Sequence, residues 1–266
     1  MSSNEAPLNV RTVAGVATLT LDRPKIHNAF DDLLIEQLID ALRAVEEDHA
    51  VRVVVLTGAG SSFSAGADLH WMKRMAKASE KENRKDARQL AKLMRVLNHL
   101  DKPTIARVNG AALGGGVGLV ACCDIAIASE DALFGLTETR LGLVPAVISP
   151  YVIDAIGARH ARRLFLTART FSAAEAARIN LVHAAVPAAE LDTAIDAEVE
   201  RLRAAGPVAV LEAKRLVQRI QHPDSKERRA LDEANADLIA ALRVSEEGQE
   251  GLRAFFERRP AAWMTD

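Results

Sequence analysis

The most informative stretches of this sequence are Phe63-Ser64-Ala65-Gly66-Ala67-Asp68-Leu69 and Asn109-Gly110-Ala111-Ala112-Leu113-Gly114-Gly115-Gly116-Val117-Gly118. Each follows a short run rich in β-branched residues, at 51–56 and 104–108, which predicts that both loops leave the ends of buried strands. The second loop contains five of the chain's 15 glycines. Glycine density alone leaves two interpretations open: a helix start packed tightly against a sheet, or a backbone that another molecule approaches closely.

The functional interpretation of the two loops is a site for a developing negative oxygen. N–H groups at the start of a helix have no partner within the helix, and the helix dipole adds partial positive charge there. Donors from both loops could converge on one oxygen. A preorganised donor of this kind contributes about 3 to 4 kcal/mol to catalysis, so the pair would be a main catalytic feature.

A third segment, Phe134-Gly135-Leu136-Thr137-Glu138-Thr139-Arg140-Leu141-Gly142-Leu143-Val144-Pro145, places one acid, Glu138, among apolar residues. Taken alone, Glu138 reads as a structural acid paired with Arg140. In apolar surroundings, however, a carboxyl group has a raised pKa and exchanges protons near neutrality, as a general acid or base must.

The rest of the chain alternates strand and helix patterns before it becomes purely helical. Strands are predicted at 16–21 and 125–128, and helices at 31–47 and 72–98, the latter with a capping box from Ser79 to Glu82 and charges that form a solvated face. After Pro187 only helical patterns remain, with a break at His222-Pro223. Two apolar stripes define this region: Ala213, Leu216, Val217 and Ile220, then Leu231, Leu238 and Leu242. The predicted fold class is α/β with a C-terminal helical subdomain.

Composition excludes several classes of protein. The 266 residues are 49% hydrophobic and 26% charged, which argues against disorder. The formal net charge of −2 provides no basic field for nucleic acid or an anionic membrane. Cys122 and Cys123 are adjacent and poorly placed to form a disulfide, which favours a reducing cytoplasm. The polar stretch Met1–Pro7 has no leader pattern, and no run of about 18 apolar residues occurs, so secretion and membrane spanning are not expected.

Several common catalytic motifs are also absent. The seven histidines never form H-x-x-x-H and the cysteines lack C-x-x-C spacing, so no metal site is expected. The sequence has neither a Walker A lysine nor a G-x-S-x-G elbow. Gly58-Ala59-Gly60 begins like a dinucleotide fingerprint, but Phe63 stands where the third glycine belongs.

In this order and separation, the three segments resemble the crotonase superfamily of enoyl-CoA hydratases and isomerases. The resemblance runs from about Val10 to the C-terminus and includes Asp22-Arg23-Pro24-Lys25, Asn28-Ala29 and Gly251–Glu257. It implies a ββα spiral with a C-terminal helical subdomain, in which residues 1–200 form the core with the thioester site and 201–266 serve trimerisation. The expected assembly is a homotrimer or a hexamer formed as a dimer of trimers.

The resemblance also implies roles for particular residues. The amides of Ala67 and Gly115 would bind the thioester oxygen, and Glu138 would be the second of the two glutamates that hydratases use. The CoA groove would be formed, mostly through backbone contacts, by Lys25, Ile26, Ala65, Asp68 and Leu69, with Phe256 near the nucleotide end. The first hydratase glutamate is replaced by Gly118.

The implied activity is hydration of the 2,3 double bond of an enoyl-CoA, with CoA as part of the substrate and no separate cofactor. Glu138 would activate water or deliver the α-proton. Because one glutamate is missing, double-bond isomerisation by Glu138 alone and acyl-CoA binding without turnover remain alternatives. The run Thr137–Tyr151, together with 116–119 and 122–124, resembles bacterial methylglutaconyl-CoA hydratases. For that substrate, Arg140 is the candidate partner of the distal carboxylate, and a structural ion pair is its alternative role.

Overall fold

Two β-sheets and ten α-helices make up the part of the chain that a computed structural model describes, residues 6–221 and 225–262. The strands are β1 (Leu8–Val13), β2 (Val16–Leu21), β3 (Val53–Gly58), β4 (Ser62–Ser64), β5 (Thr104–Val108), β6 (Ala111–Leu113), β7 (Ile125–Ser129), β8 (Leu133–Gly135), β9 (Thr170–Ser172) and β10 (Ala184–Val186). The helices are α1 (Asp32–Glu47), α2 (Leu69–Lys77), α3 (Glu80–Asn98), α4 (Gly115–Cys122), α5 (Ser149–Thr167), α6 (Ala173–Arg178), α7 (Leu191–Ala204), α8 (Pro207–Gln221), α9 (Ser225–Val244) and α10 (Glu246–Glu257). Short 3₁₀ helices cover Pro24–Ile26, Glu138–Leu141 and Ala188–Glu190. No helix in these two ranges has both the length and the apolar composition needed to cross a bilayer.

The two sheets are built by a repeated strand, strand, helix unit. The larger sheet has the order β1-β2-β3-β5-β7-β10 and the smaller one β4-β6-β8-β9. Neighbours are parallel except for β1 with β2 and β8 with β9. The first two strands, β1 and β2, both belong to the larger sheet. From β3 to β8, each unit places one strand in the larger sheet and the next in the smaller one before a helical segment returns the chain. The ends of β4 and β6, which carry the two glycine-containing loops, are therefore neighbours.

Hydrophobic patterning explains the layers on either side of the larger sheet. In β2, Ala17, Leu19 and Leu21 are completely buried, as the alternation predicts. Strand β3 is buried on both faces: Val54 faces the main core, while Val55 packs with residues of α7 in a second cluster. This sheet is thus covered on both sides, which accounts for the continuous apolar run in β3.

Most predicted elements are present, with shifted boundaries. Helix α1 begins where the acidic first turn indicates, since the side chain of Asp31 accepts a hydrogen bond from the Leu34 amide. The strand predicted at 51–56 lies two residues later. The two stretches predicted as loops are not loops throughout, because β4 overlaps the start of the first and β6 lies within the second. The stretch predicted as helical from 72 to 98 is two helices, and the capping box of Ser79 and Glu82 begins the second.

The predicted apolar stripes of the C-terminal helices mostly face away from the core, and only Leu242 packs against it. On α8, Val217 and Ile220 are 55% and 73% exposed, and on α9 Leu238 is 48% exposed. The buried face of α9 instead contains Ala236 and Ala240. Small side chains let α9 approach α3 closely, which leaves Leu231 and Leu238 outside. The break predicted at His222-Pro223 lies outside the described residues.

The charges of α3 are less fully solvated than predicted. Three arginines of α3 form ion pairs with three carboxylates of α9: Arg84 with Asp237, Arg88 with Glu233, and Arg95 with Asp232. Asp232 is only 3% exposed. The charged face therefore also holds the C-terminal region against the core.

Candidate active site

A cavity of about 490 Å³ lies between the two glycine-containing loops and the helices. We call its first side the loop wall, formed by 65–67, 113–115, 137–138 and 140–141. We call its second side the helical wall, to which α2, α3, α9 and α10 contribute. Apart from Glu138 and two arginines, the lining is almost entirely apolar.

The Ala67 amide is presented to the cavity by the backbone of Phe30. The Phe30 amide donates to the Gly66 carbonyl at 2.8 Å, and the Asp68 amide donates to the Phe30 carbonyl at 3.0 Å. These two bonds hold the chain on both sides of Ala67. The Ala67 N–H itself has no hydrogen-bond partner within the described residues. It is therefore a fixed and available donor.

The second available donor is the Gly115 amide at the start of α4, where no partner exists within the helix. An added Cβ at Gly115 would lie 2.2 Å from Cζ of Phe30, so only glycine fits without movement. An added Cβ at Gly66 would lie 3.7 Å from the Gly115 nitrogen. This short separation shows that the two loops meet, as the sequence predicts.

Glu138 begins a 3₁₀ helix directly beside the second loop. Its Oε1 would lie 3.2 Å from a Cβ added to Gly114, whose φ of 50° favours glycine. Its Oε2 is buried and has no hydrogen-bond partner within the described residues. Burial raises the pKa of Glu138 to about 7. The side chain forms no ion pair with Arg140, which is exposed at the cavity edge, so the structural-pair interpretation finds no contact to support it.

Apolar side chains fill the space beside Gly118, the position of the first hydratase glutamate. A Cβ added to Gly118 would lie 2.3 Å from Cγ2 of Ile148 and 3.3 Å from Cε of Met94. Ile148 also lines the cavity. The loop wall therefore has a single carboxyl group, and a second one at 118 would require Ile148 to move.

The residues predicted along a CoA groove are only partly brought together. Ala65 and Leu69 line the cavity, whereas Lys25, Ile26 and Phe256 lie outside its lining. Lys73 Nζ lies 5.0 Å from the centre of the Phe256 ring.

The Asp68 carboxylate is already engaged within the protein. It accepts hydrogen bonds from the His70 and Trp71 amides as the N-cap of α2, and it forms an ion pair with Arg23 at 3.3 Å. Its side chain is only 8% exposed. Its amide donates to the Phe30 carbonyl and its carbonyl accepts from the Met72 amide, so both polar backbone groups are engaged as well, and the contact of Asp68 with CoA stays a prediction.

Sequence reasoning missed a polar cluster on the helical wall. Arg243 of α9, Asp86 of α3 and Trp71 of α2 contact one another beside the cavity. The three residues are far apart in the sequence and stand among many other helical charges, so no local pattern marks them. Within the described residues, no group of three or more His, Cys, Asp or Glu side chains is arranged to hold a metal ion.

The sequence profile of the enoyl-CoA hydratase/isomerase family matches residues 11–266. This chain belongs to that family. It is 33% identical to a crotonyl-CoA hydratase of Syntrophomonas wolfei, over 94% of this chain and 95% of the relative. It is also 33% identical to a 2,3-dehydroadipyl-CoA hydratase of Escherichia coli, over 92% and 93% of the two chains. The crystal structure of an enoyl-CoA hydratase from Shewanella pealeana matches with a TM-score of 0.80 and 42% identity, covering 97% of this chain and 96% of the other.

These similarities confirm two of the predictions. Membership of the enoyl-CoA hydratase/isomerase family and the crotonase-like α/β fold with a helical C-terminal region are both established. Because the family includes hydratases and isomerases, membership alone does not select between the two reactions.

Proposed function

We propose that this protein is a hydro-lyase that adds water across the 2,3 double bond of an enoyl-CoA thioester. The observation that carries the proposal is the convergence of two available amides, of Ala67 and Gly115, beside the unpaired carboxyl group of Glu138. Both amides would donate to the thioester oxygen, where negative charge develops during addition to the double bond.

Glu138 would move the proton in this reaction. As its carboxylate removes a proton from water, the water oxygen bonds to C3 and the electrons of the double bond move onto the thioester oxygen. The enolate then collapses, and the same proton is delivered from Glu138 to C2. A pKa of about 7 suits both the removal of the proton from water and its delivery to C2, because the carboxyl group gains and loses a proton with little cost near neutrality.

No further cofactor is part of the proposal. Water addition transfers no electrons to or from the substrate overall, and the two amides supply the stabilisation of the enolate. CoA enters as part of the substrate. A cytoplasmic location belongs to the same proposal and is supported by Cys122 and Cys123, both of which are free thiols.

Isomerisation of the double bond is the second candidate, and the packing of Ile148 against Gly118 favours it. A single carboxyl group is sufficient to move a proton between two carbons, whereas hydration must also hold a water molecule. Incubation with crotonyl-CoA in H₂¹⁸O separates the two reactions. Hydration predicts the label in a 3-hydroxyacyl product, and a shifted double bond without label would replace hydration with isomerisation.

For the acyl group, we propose 3-methylglutaconyl-CoA. A carboxylate buried without a partner costs several kcal/mol, so this substrate needs a cation in the pocket. Arg140 and Arg243 both line the cavity. A relative named for 2,3-dehydroadipyl-CoA supports a carboxylated chain. A kcat/KM panel of linear, branched and carboxylated enoyl-CoA esters tests this choice, and a preference for plain linear esters would contradict it.

We also propose assembly into a homotrimer or a dimer of trimers through the C-terminal helices. The exposed apolar side chains of α8 support it, because a monomer would leave them in water: Val208, Leu216, Val217 and Ile220. The region from 201 onward would then have two roles, since α9 and α10 also line the cavity. Sedimentation that shows a stable monomer at micromolar concentration would contradict the assembly.

A further inference from the structure

We propose that Arg243 is the binding partner of a carboxylate at the distal end of the acyl group. This inference rests on the proposed function, because it concerns the acyl end of the same cavity. It deepens that function by assigning the substrate class, a monothioester of a dicarboxylic acid, to one side chain of the helical wall.

Arg243 lines the same cavity as Ala67 and Gly115, whose amides are the two available donors. The Phe30 ring touches Gly115, and its centre lies 6.4 Å from that of Trp71. The guanidinium carbon of Arg243 lies 5.7 Å from the Trp71 ring. The rings of Trp71 and Phe30 therefore connect Arg243 to the Gly115 amide along the same cavity. An acyl chain held by its thioester oxygen at Gly115 would reach Arg243 if it extended along the Phe30 and Trp71 rings, which line the same cavity.

Contacts to its backbone and to its side chain hold Arg243 in place. Its backbone carbonyl accepts a hydrogen bond from Gln249 Nε2 at 2.7 Å, and the same nitrogen donates to the Ala76 carbonyl at 2.7 Å. Its Nη1 contacts Oδ2 of Asp86 at 3.0 Å. A cation fixed in this way loses little additional freedom when a ligand binds.

Asp86 leaves several N–H donors of Arg243 unused. The second oxygen of Asp86, Oδ1, accepts from the indole Nε1 of Trp71 at 3.0 Å. Because Oδ1 is bound to Trp71, Asp86 does not form a bidentate contact with the guanidinium group. An arginine has five N–H donors, and a fork of two suits a carboxylate. Asp86 occupies only one nitrogen, so the remaining edge can receive a ligand.

A purely structural role explains Arg243 less well. Helix α9 is already tied to α3 by ion pairs that lie away from the cavity, including Arg88 with Glu233 at 2.6 Å. The pair of Arg243 and Asp86 is 14% and 10% exposed, and burying it in an apolar wall costs desolvation energy. Binding of an anionic acyl end gives this buried cation a function that the exposed pairs do not have.

The test compares two acyl chains of equal length in a binding experiment. Glutaryl-CoA and pentanoyl-CoA each carry five acyl carbons, and only glutaryl-CoA ends in a carboxylate. Both are saturated, so calorimetric Kd values can be measured whether or not the protein turns over any enoyl-CoA. We expect Arg243→Met to raise the Kd for glutaryl-CoA by a factor at least ten times larger than the factor for pentanoyl-CoA. Arg88→Met, which removes an ion pair between α3 and α9 outside the cavity, should leave the ratio of the two Kd values unchanged.

The outcomes separate this inference from the function on which it rests. Equal weakening of both esters by Arg243→Met would overturn the inference and leave hydration untouched. If the wild-type protein turned over no enoyl-CoA, the proposed hydration would be overturned. The ratio of the two Kd values would still test the role of Arg243. If Arg243→Met does not fold, Arg243→Gln keeps donors to Asp86 without the charge, and it should show the same selective loss of glutaryl-CoA. A wild-type protein that binds glutaryl-CoA tenfold more weakly than pentanoyl-CoA would also overturn the inference.

Discussion

The two walls of the cavity differ in how their chemistry is encoded. In the proposed reaction the loop wall acts through backbone amides, and its requirements appear locally as glycines and small residues, such as Gly114 and Gly115. The helical wall uses side chains from distant helices, such as Trp71 and Arg243. We therefore expect changes in the loop wall to affect the reaction on every substrate, and changes in the helical wall to affect the choice of substrate.

The largest effect is expected at Glu138. Glu138→Gln keeps the size of the side chain but cannot accept a proton, so kcat should fall by about 10²- to 10⁴-fold on every enoyl-CoA ester. Acyl-CoA affinity, measured by calorimetry, should stay nearly unchanged. A variant that retained more than about a tenth of wild-type kcat would show that Glu138 is not the acid-base group.

The Gly115 amide gives the next largest effect. Gly115→Pro deletes the N–H that would bind the thioester oxygen, and a lost oxyanion donor typically lowers kcat by about 10²- to 10³-fold. Because any Cβ at this position collides with Phe30, Gly115→Ala is the matched control: it adds the same clash and keeps the N–H. We expect alanine to retain far more activity than proline. Equal losses in the two folded variants would assign the defect to crowding.

The different encoding of the walls explains how much could be read from the sequence. The meeting of the two glycine-containing loops and the apolar setting of Glu138 follow from local patterns, and the structure contains both. The strands β4 and β6 did not follow, because three residues are too few to show an alternating pattern. The orientation of α9 did not follow, because its leucine stripe and its alanine face are both helical patterns. Only contact with α3 decides that Ala236 and Ala240 are buried while Leu238 is outside.

The pKa of Glu138 predicts a dependence of stability on pH. Burial raises this pKa to about 7 from an ordinary value of 4.5, so between these pH values the folded protein keeps a proton that the unfolded chain has lost. Stability therefore falls as the pH rises through this window, by up to about 3 kcal/mol from this group. Below about pH 4.5 the folded and the unfolded protein both keep the proton, so Glu138 no longer lowers the stability.

The matched comparison is Glu138→Gln, which cannot ionise. Urea unfolding of the two proteins should show the variant gaining stability over wild type as the pH rises from 5 to 8, the range that brackets the raised pKa of about 7. A difference that did not change with pH would mean that Glu138 ionises freely. The loop wall would then have no carboxyl group with a pKa near neutrality.

A glutamate restored at 118 should cost stability and leave hydration no faster. Its side chain would displace Ile148, and overpacking of this kind typically costs about 1 to 3 kcal/mol, with a further penalty for the buried charge. The Tm of Gly118→Glu should fall, and an Ile148→Ala background should recover part of the loss by opening space. A stable Gly118→Glu variant with faster hydration would show that the loop wall already has room for a second carboxyl group.

The smallest effect is expected at Arg140, the residue that sequence proximity to Glu138 suggests for a distal carboxylate. Arg140 belongs to the same 3₁₀ helix as Glu138 but is exposed at the cavity edge. An exposed cation contributes little to binding because water and salt screen it, typically below about 1 kcal/mol. Arg140→Met should therefore change the ratio of kcat/KM for 3-methylglutaconyl-CoA and crotonyl-CoA by less than about fivefold, the equivalent of that energy. A selective loss of tenfold or more on the carboxylated ester would instead move acyl selection to the loop wall. The backbone segment that supplies the acid would then also choose the substrate, and the division of labour between the two walls would no longer hold.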